Sequence, residues 1–134
     1  MNKNNPKLPL MFNESVSAGF PTPVEGYPDQ SLDLNNYLVQ HPSATFFVRA
    51  QGESMRDVGI FSGDILIVDR SLRPVSGNIV IAIINSEFTV KSIYFRSEII
   101  ELQPANREYQ TIFLKPDDDF QIWGVVSSCI HCFI

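Results

Sequence analysis

The chain changes its pattern of hydrophobic and polar positions at Pro42. Beyond that residue, β-branched and aromatic side chains alternate with polar ones or form short apolar runs, which is typical of β-strands. The pattern predicts these strands: Thr45 to Ala50, Ile65 to Asp69, Asn78 to Ile83, Glu87 to Phe95, Ile99 to Gln103, Thr111 to Leu114 and Gln121 to Val126. Asn85-Ser86, between the third and the fourth, fits a tight hairpin turn. Strands so short and so closely spaced predict a mainly β domain that is curled or barrel-like.

The N-terminal 30 residues show no such period. They contain five of the nine prolines and many Asn and Ser residues, a composition typical of an extended or mobile segment. A short helix is predicted next, because Leu34 and Leu38 are four residues apart, Asp33 can cap the start and Pro42 stops the element. We therefore predict an N-terminal arm over residues 1–30 and a β-rich domain over residues 31–134.

Composition and charge narrow the class of protein. Of the 134 residues, 44% are hydrophobic and 19% are charged, which indicates a globular chain. The formal net charge of −5 disfavours direct binding to duplex DNA. The longest strictly apolar run, Ile79 to Ile84, is too short to span a membrane, and no secretory signal is visible. We expect a cytoplasmic protein without a membrane segment.

Cys129 and Cys132 form a Cys-x-x-Cys pair with His131 between them. Such a pair can belong to a redox site or to half of a zinc site. A structural zinc usually needs four ligands, however, and the only other histidine in the sequence is His41. We therefore expect two reduced thiols near a frayed terminus, with no metal and no other cofactor.

Ser54 is a candidate nucleophile because of its place in Gly52-Glu53-Ser54-Met55. A strand that ends near Ala50 leads into a turn there, and a turn can present a hydroxyl beside backbone N–H groups. Serines at turns are also common for ordinary structural reasons. A histidine base is not indicated, since neither His41 nor His131 lies where a catalytic triad is expected.

Lys91 is the lysine best placed to replace histidine as a base. It lies in the middle of the strand Glu87 to Phe95, whereas Lys3 and Lys7 lie in the arm and Lys115 adjoins three aspartates. Burial lowers the pKa of a lysine because it disfavours the ammonium form. The alternative is a lysine on the solvent-facing side of its strand, where lysines usually lie.

Taken together, these two residues make the sequence resemble a known family. Ser54 in Gly-Glu-Ser-Met is followed 37 residues later by Lys91 in Phe-Thr-Val-Lys-Ser, with Ser-Gly-Asp-Ile-Leu-Ile-Val-Asp between them. From about Leu34 to Val126 the chain resembles the catalytic domain shared by LexA, phage repressors and UmuD, and most closely the UmuD family. The resemblance implies a self-cleaving protease with Ser54 as nucleophile and Lys91 as general base. It also implies an oxyanion site made by the backbone N–H groups of Glu53 and Ser54.

The family cleaves its own arm between a small residue and a glycine, and Ala18-Gly19 is the matching position. In an extended peptide Val16 and Ala18 point to the same face, and Ala18 is small enough for a tight pocket beside a nucleophile. Gly19 leaves room on the leaving side. Ala-Gly is also a common dipeptide in plain flexible turns.

The resemblance further implies a role after DNA damage. Cleavage would be triggered by the RecA filament on single-stranded DNA, and the processed homodimer would then join a UmuC-like polymerase for translesion synthesis. Three other classes of protein compete with this one. A signal peptidase would need a membrane anchor, and a phage-type repressor would need a DNA-binding domain for which the arm has no room. A non-catalytic β-rich interaction module remains the alternative.

Overall fold

A computed structural model describes residues 7–12, 15–21 and 30–134 of the chain. The chain divides into two compact units, with the division between Tyr37 and Leu38. The boundary predicted from the sequence, between residues 30 and 31, separates an arm from a β-rich domain by composition and periodicity. It stays a prediction.

The first unit contains a small antiparallel ribbon. Strand β1 spans Leu10–Met11 and pairs with β2, which spans Gln30–Ser31. The N–H of Leu32 extends the ribbon by donating to the carbonyl of Pro9 at 2.8 Å. Helix α1 begins soon afterwards and spans Leu34–Leu38. Its start is capped as predicted, because the Asp33 carboxylate accepts a hydrogen bond from the N–H of Asn35 at 3.0 Å.

The second unit is built on one antiparallel sheet. Its strands are β3 (Thr45–Arg49), β4 (Ile65–Asp69), β5 (Ile79–Ile84), β6 (Glu87–Phe95), β7 (Ile100–Gln103), β8 (Ile112–Leu114) and β9 (Phe120–Ile130). Their order across the sheet is β3-β4-β9-β5-β6-β7-β8. The prediction of a mainly β fold is confirmed. Within the described residues β3 and β8 are the two edges and do not pair, so the sheet is not a closed barrel.

Hydrophobic side chains cover both faces of this sheet, which explains the unbroken apolar runs in β4 and β5. Ile81 belongs to one buried cluster and its neighbour Val80 to a second, because adjacent residues of a strand point to opposite faces. The first cluster comprises Ala50, Met55, Ile60, Leu66, Val68 and Ile81. The second comprises Val80, Ala82, Ile93, Leu102, Leu114 and Val125.

Strands β5 and β6 are joined by the predicted tight hairpin. Asn85 and Ser86 both have positive φ angles, 49° and 68°, as a two-residue turn of this type requires. The turn fixes the register in which Val80 pairs with Lys91. It therefore sets the position of Lys91 along the sheet.

Strand β9 is longer than predicted. The sequence suggested an end at Val126, but pairing with β4 continues through Cys129 and Ile130. The pairing shifts register between Ile67 and Val68, and this irregularity lets the strand continue although its polar residues break the alternation. Cys129 therefore lies inside a paired strand, whereas residues 131–134 have no secondary structure, and the frayed terminus stays a prediction. Cys129 and Cys132 are both free thiols, as expected.

Candidate active site

Ser54 lies in the loop that joins β3 to β4, here called the Ser54 loop (residues 51–63). The base of the loop is closed by Ala50, whose N–H donates to Asp64 at 2.8 Å and whose carbonyl accepts from Gly63 at 2.9 Å. The turn before Ser54 requires Gly52, which has a φ of 91°, a value that favours glycine. The Ser54 loop is thus held at its base and bent sharply just before the candidate nucleophile.

Lys91 reaches this loop from the middle of β6. Its side chain is buried, with 7% of the residue exposed. The amine nitrogen Nζ lies 3.2 Å from Ser54 Oγ, 2.7 Å from Thr89 Oγ1 and 3.0 Å from the carbonyl oxygen of Val90. The structure therefore brings the two predicted residues into hydrogen-bond contact across 37 positions of sequence. The alternative of a solvated lysine on a wet strand face was wrong.

Burial makes the ammonium form of Lys91 less favourable than it is for a solvated lysine. Burial lowers its pKa below the ordinary value for lysine. Among the described residues no carboxylate forms an ion pair with Nζ, so no charge partner compensates the ammonium. A neutral amine has two N–H donors and one lone pair. The two donors can form hydrogen bonds with the Val90 carbonyl and Thr89 Oγ1, and the lone pair can accept the hydroxyl proton of Ser54.

Backbone N–H groups beside Ser54 are available for an oxyanion. The carbonyl of Ser54 accepts from the N–H of Ala105 at 2.7 Å, and the carbonyl of Glu53 accepts from the side chain of Asn106 at 2.9 Å. In contrast, the N–H groups of Glu53 and Ser54 have no partner among the residues that the structure describes. Two N–H donors beside a hydroxyl, without a partner among the described residues, can stabilise a tetrahedral intermediate.

A groove of about 230 Å³ opens beside Ser54. Its lining combines the end of β3 and the start of the Ser54 loop with residues of β4, β5 and β6. The lining residues are Val48, Arg49, Ala50, Gln51, Ser54, Leu66, Ile81, Phe88, Thr89 and Val90. Walls that combine polar and apolar groups, together with the small volume, suit a short peptide segment with small side chains.

Ala18 and Gly19 lie in the first unit, in an exposed bend. The N–H of Gly19 donates to Ser17 Oγ at 3.2 Å, and Val16 is almost fully exposed. A Cβ placed on Gly19 would have no described heavy atom within 4 Å, apart from those of Gly19 and its two chain neighbours. The position predicted for cleavage is therefore accessible in this conformation. Its function as a cleavage site stays a prediction.

The two histidines each contact a buried aspartate. His131 Nδ1 lies 2.5 Å from Asp64 Oδ1, and His41 Nδ1 lies 2.6 Å from Asp69 Oδ2. These contacts fix the region before β3 and the region after β9 to the two ends of β4. Lys91 contacts the side chains of Ser54 and Thr89. The candidate nucleophile, Ser54, is therefore adjoined by a lysine and not by a histidine.

Two residues of the site were not selected from the sequence. Asn106 is buried and bonds the backbone of the Ser54 loop, while Thr89 provides the shortest contact of Lys91. Thr89 lies two residues before Lys91 and thus on the same face of the strand, but a threonine in a strand carries no signal of such a role. Asn106 carries no local signal, because its partner Glu53 is 53 positions away in the sequence.

The described ranges hold neither a metal-binding cluster nor a membrane-spanning helix. Residues 7–12, 15–21 and 30–134 contain no group of three or more His, Cys, Asp or Glu side chains arranged to hold a metal ion. The helices in those ranges are also too short and too polar to cross a membrane.

Comparison with known proteins places this geometry in context. The family model described as Peptidase S24-like matches residues 9–127. Protein MucA of Salmonella typhimurium is 47% identical over 117 residues, which cover 87% of this chain and 80% of MucA. Protein SamA of Salmonella typhimurium is 45% identical, with 90% of this chain and 84% of SamA covered. Protein ImpA of the same species is 43% identical over 90% of this chain and 82% of ImpA.

Proposed function

Since the chain belongs to the Peptidase S24-like family, a family of serine peptidases, we propose that it is a Ser–Lys protease that cleaves its own arm between Ala18 and Gly19. The observation that carries the proposal is the contact of 3.2 Å between Lys91 Nζ and Ser54 Oγ, made by a lysine that is buried and lacks a charge partner among the described residues. A buried amine of this kind can accept a proton at a pH where a solvated lysine cannot.

In the first step the arm binds in the groove as an extended segment, with the Ala18 carbonyl carbon at Ser54 Oγ. Lys91 accepts the hydroxyl proton as Oγ attacks that carbon. The carbonyl oxygen becomes an oxyanion, which accepts hydrogen bonds from the N–H groups of Glu53 and Ser54. Binding of the arm also excludes water, which further favours the neutral form of Lys91.

In the second step the tetrahedral intermediate collapses. The bond between Ala18 and Gly19 breaks, and the ammonium of Lys91 gives its proton to the leaving nitrogen of Gly19. An ester between Ser54 and Ala18 remains. A water molecule then attacks this ester while Lys91 accepts the water proton, and Ser54 regains its hydroxyl as residues 1–18 are released with a new carboxylate.

The wider role follows from the resemblance to the UmuD family. Cleavage would be triggered by the RecA filament on single-stranded DNA, and the processed protein would act as a homodimeric accessory subunit of a UmuC-like, error-prone polymerase. The formal net charge of −5 agrees with a protein that reaches DNA through its partners and not by its own surface.

Incubation of the purified chain at alkaline pH tests the proposal. Mass spectrometry should detect a product that begins at Gly19. Ser54→Ala should abolish it because the nucleophile is lost, and Lys91→Ala because the base is lost. Lys91→Arg should abolish it as well, since arginine stays protonated.

The matched control is Lys115→Ala, which removes an exposed lysine and should leave the cleavage rate unchanged. The DNA-damage trigger is tested by adding RecA assembled on single-stranded DNA at neutral pH, which should increase the rate of the wild-type chain. A chain that stays intact both at alkaline pH and with activated RecA would instead be a β-rich interaction module.

A further inference from the structure

Asn106 lies in the loop after β7 and is 5% exposed. Both the nitrogen and the oxygen of its side-chain amide form hydrogen bonds with backbone groups. Nδ2 donates to the carbonyl of Glu53 at 2.9 Å, and Oδ1 accepts from the N–H of Glu108 at 3.0 Å. The neighbouring N–H of Ala105 donates to the carbonyl of Ser54 at 2.7 Å. The loop after β7 thus holds two consecutive carbonyl groups of the Ser54 loop.

The carbonyl of Glu53 and the N–H of Ser54 belong to one peptide group. A peptide group is planar, and in the trans form its C=O and N–H point in opposite directions. No peptide bond in the described chain is cis. A donor that fixes the Glu53 carbonyl therefore also fixes the direction of the Ser54 N–H, on the opposite side of the peptide.

We propose that Asn106 is a positioning residue for the oxyanion site: by holding the Glu53 carbonyl, it directs the Ser54 N–H towards the developing oxyanion. The inference rests on the proposed function and adds to it the residue that sets the geometry of one oxyanion donor. Its physical basis is that oxyanion stabilisation depends on donors that are already oriented before the reaction.

The other donor to the Glu53 carbonyl is weaker. The N–H of Arg56 lies 3.3 Å from that oxygen and comes from the same loop, which is itself tied to the loop after β7 by the N–H of Asp57, a donor to the carbonyl of Ala105 at 2.7 Å. Asn106 anchors the peptide from a separate, buried segment. Loss of its amide leaves the Glu53 carbonyl with the longer Arg56 contact alone, so the orientation of the Ser54 N–H is held less firmly, while the contact between Lys91 and Ser54 Oγ loses no partner.

The first test measures self-cleavage of Asn106→Ala across the pH range. At the alkaline plateau the rate should fall about 10- to 100-fold, which is less than the roughly 100- to 1,000-fold effect of removing an oxyanion donor altogether. The pH midpoint should not change, because none of the three contacts of the Lys91 amine involves Asn106.

Asn106→Asp is the second variant, for the case in which the alanine variant does not fold. It keeps the shape and the acceptor for the Glu108 N–H but has no amide donor for Glu53. Its rate at the alkaline plateau should fall at least as far. Asn78→Ala is the matched control, because Asn78 also bonds a backbone N–H in a loop, that of Val75 at 2.9 Å. This control should cleave at the wild-type rate.

The second test separates oxyanion geometry from the Ser–Lys contact. In a Ser54→Cys background, alkylation by iodoacetamide forms a C–S bond at the introduced thiol and releases iodide, and no oxyanion develops. The alkylation rate at position 54, measured by peptide mass spectrometry, should be the same within about twofold with and without Asn106→Ala, since only the activated nucleophile is needed.

The outcomes are distinct. Slower cleavage with unchanged alkylation supports the proposal. Cleavage at the wild-type rate in both Asn106 variants overturns it, and so does a parallel loss of cleavage and alkylation, which would mean that Asn106 merely holds the Ser54 loop in place. Failure of the proposed function itself is recognised separately, because the wild-type chain would then not cleave.

Discussion

Substitution of Thr89 by valine tests how its surroundings set the pKa of Lys91, the proposed base. Valine has nearly the shape of threonine but cannot accept the hydrogen bond that Thr89 Oγ1 receives from Lys91 Nζ at 2.7 Å. The change removes one of three acceptors around the amine and adds no charge. Because an acceptor stabilises the ammonium more than the neutral amine, its loss should lower the pKa of Lys91 further.

The size of the shift can be worked out from that single bond. A hydrogen bond to a charged group contributes about 1.5–3 kcal/mol and a neutral one about 0.5–1.5 kcal/mol, a difference of roughly 1 kcal/mol. One pKa unit corresponds to about 1.4 kcal/mol, so the pKa of Lys91 should fall by roughly 0.7 unit. Well below the midpoint, the rate relative to its own plateau should therefore rise about fivefold.

The assay is the pH dependence of self-cleavage, followed by the amount of product that begins at Gly19. Each profile is normalised to its alkaline plateau, so that a change in maximum rate does not mask the midpoint. Thr89→Ser is the control, because it keeps the hydroxyl and should keep the wild-type midpoint. A valine variant whose midpoint is unchanged or higher would contradict the idea that Thr89 stabilises the ammonium.

Three further substitutions test other contacts. His131→Ala should lower the free energy of unfolding at pH 7 by about 1–2 kcal/mol. Burial would raise the pKa of Asp64, but its hydrogen bonds outweigh burial and lower it. Denaturant titrations should therefore show the full difference above pH ~4 and a decline as the pH falls further, through the lowered pKa of Asp64. Ala18→Leu should stop cleavage, seen by electrophoresis, without changing the melting temperature, because the residue is exposed. Gly52→Ala should cost about 1–2 kcal/mol and slow cleavage, since φ is 91°.

Most of the fold could be predicted from the pattern of the sequence, because antiparallel strands with polar turns carry local signals. Asn85-Ser86 fixed the central hairpin, and the apolar runs of β4 and β5 marked strands that are buried on both faces. The end of β9 could not be predicted in this way. Its last residues include polar Ser127 and Ser128 and are held by pairing to β4, which is a tertiary interaction with no local sequence signal.

The candidate site likewise contains residues that the sequence could reveal and one that it could not. Ser54 and Lys91 could be found because their motifs resemble those of the UmuD family, and the family membership is confirmed by the match over residues 9–127. Their contact at 3.2 Å agrees with the role proposed for them. Asn106 could not be found, since its effect depends on which backbone carbonyl lies opposite it after folding.

Two opposing influences set the charge of Lys91. Burial favours the neutral amine, whereas the acceptors Thr89 and Val90 favour the ammonium, so the two influences oppose each other within a few ångströms. Binding of the arm would remove water from the groove without removing these acceptors, and the balance would move towards the neutral base only when substrate is present. On this argument, the pKa of Lys91 should be lower in a Ser54→Ala chain whose arm is bound than in the same chain lacking residues 1–18, which ¹⁵N-resolved titration of the lysine amine can measure. Equal pKa values would mean that arm binding controls access to Ser54 alone, and not the charge of its base.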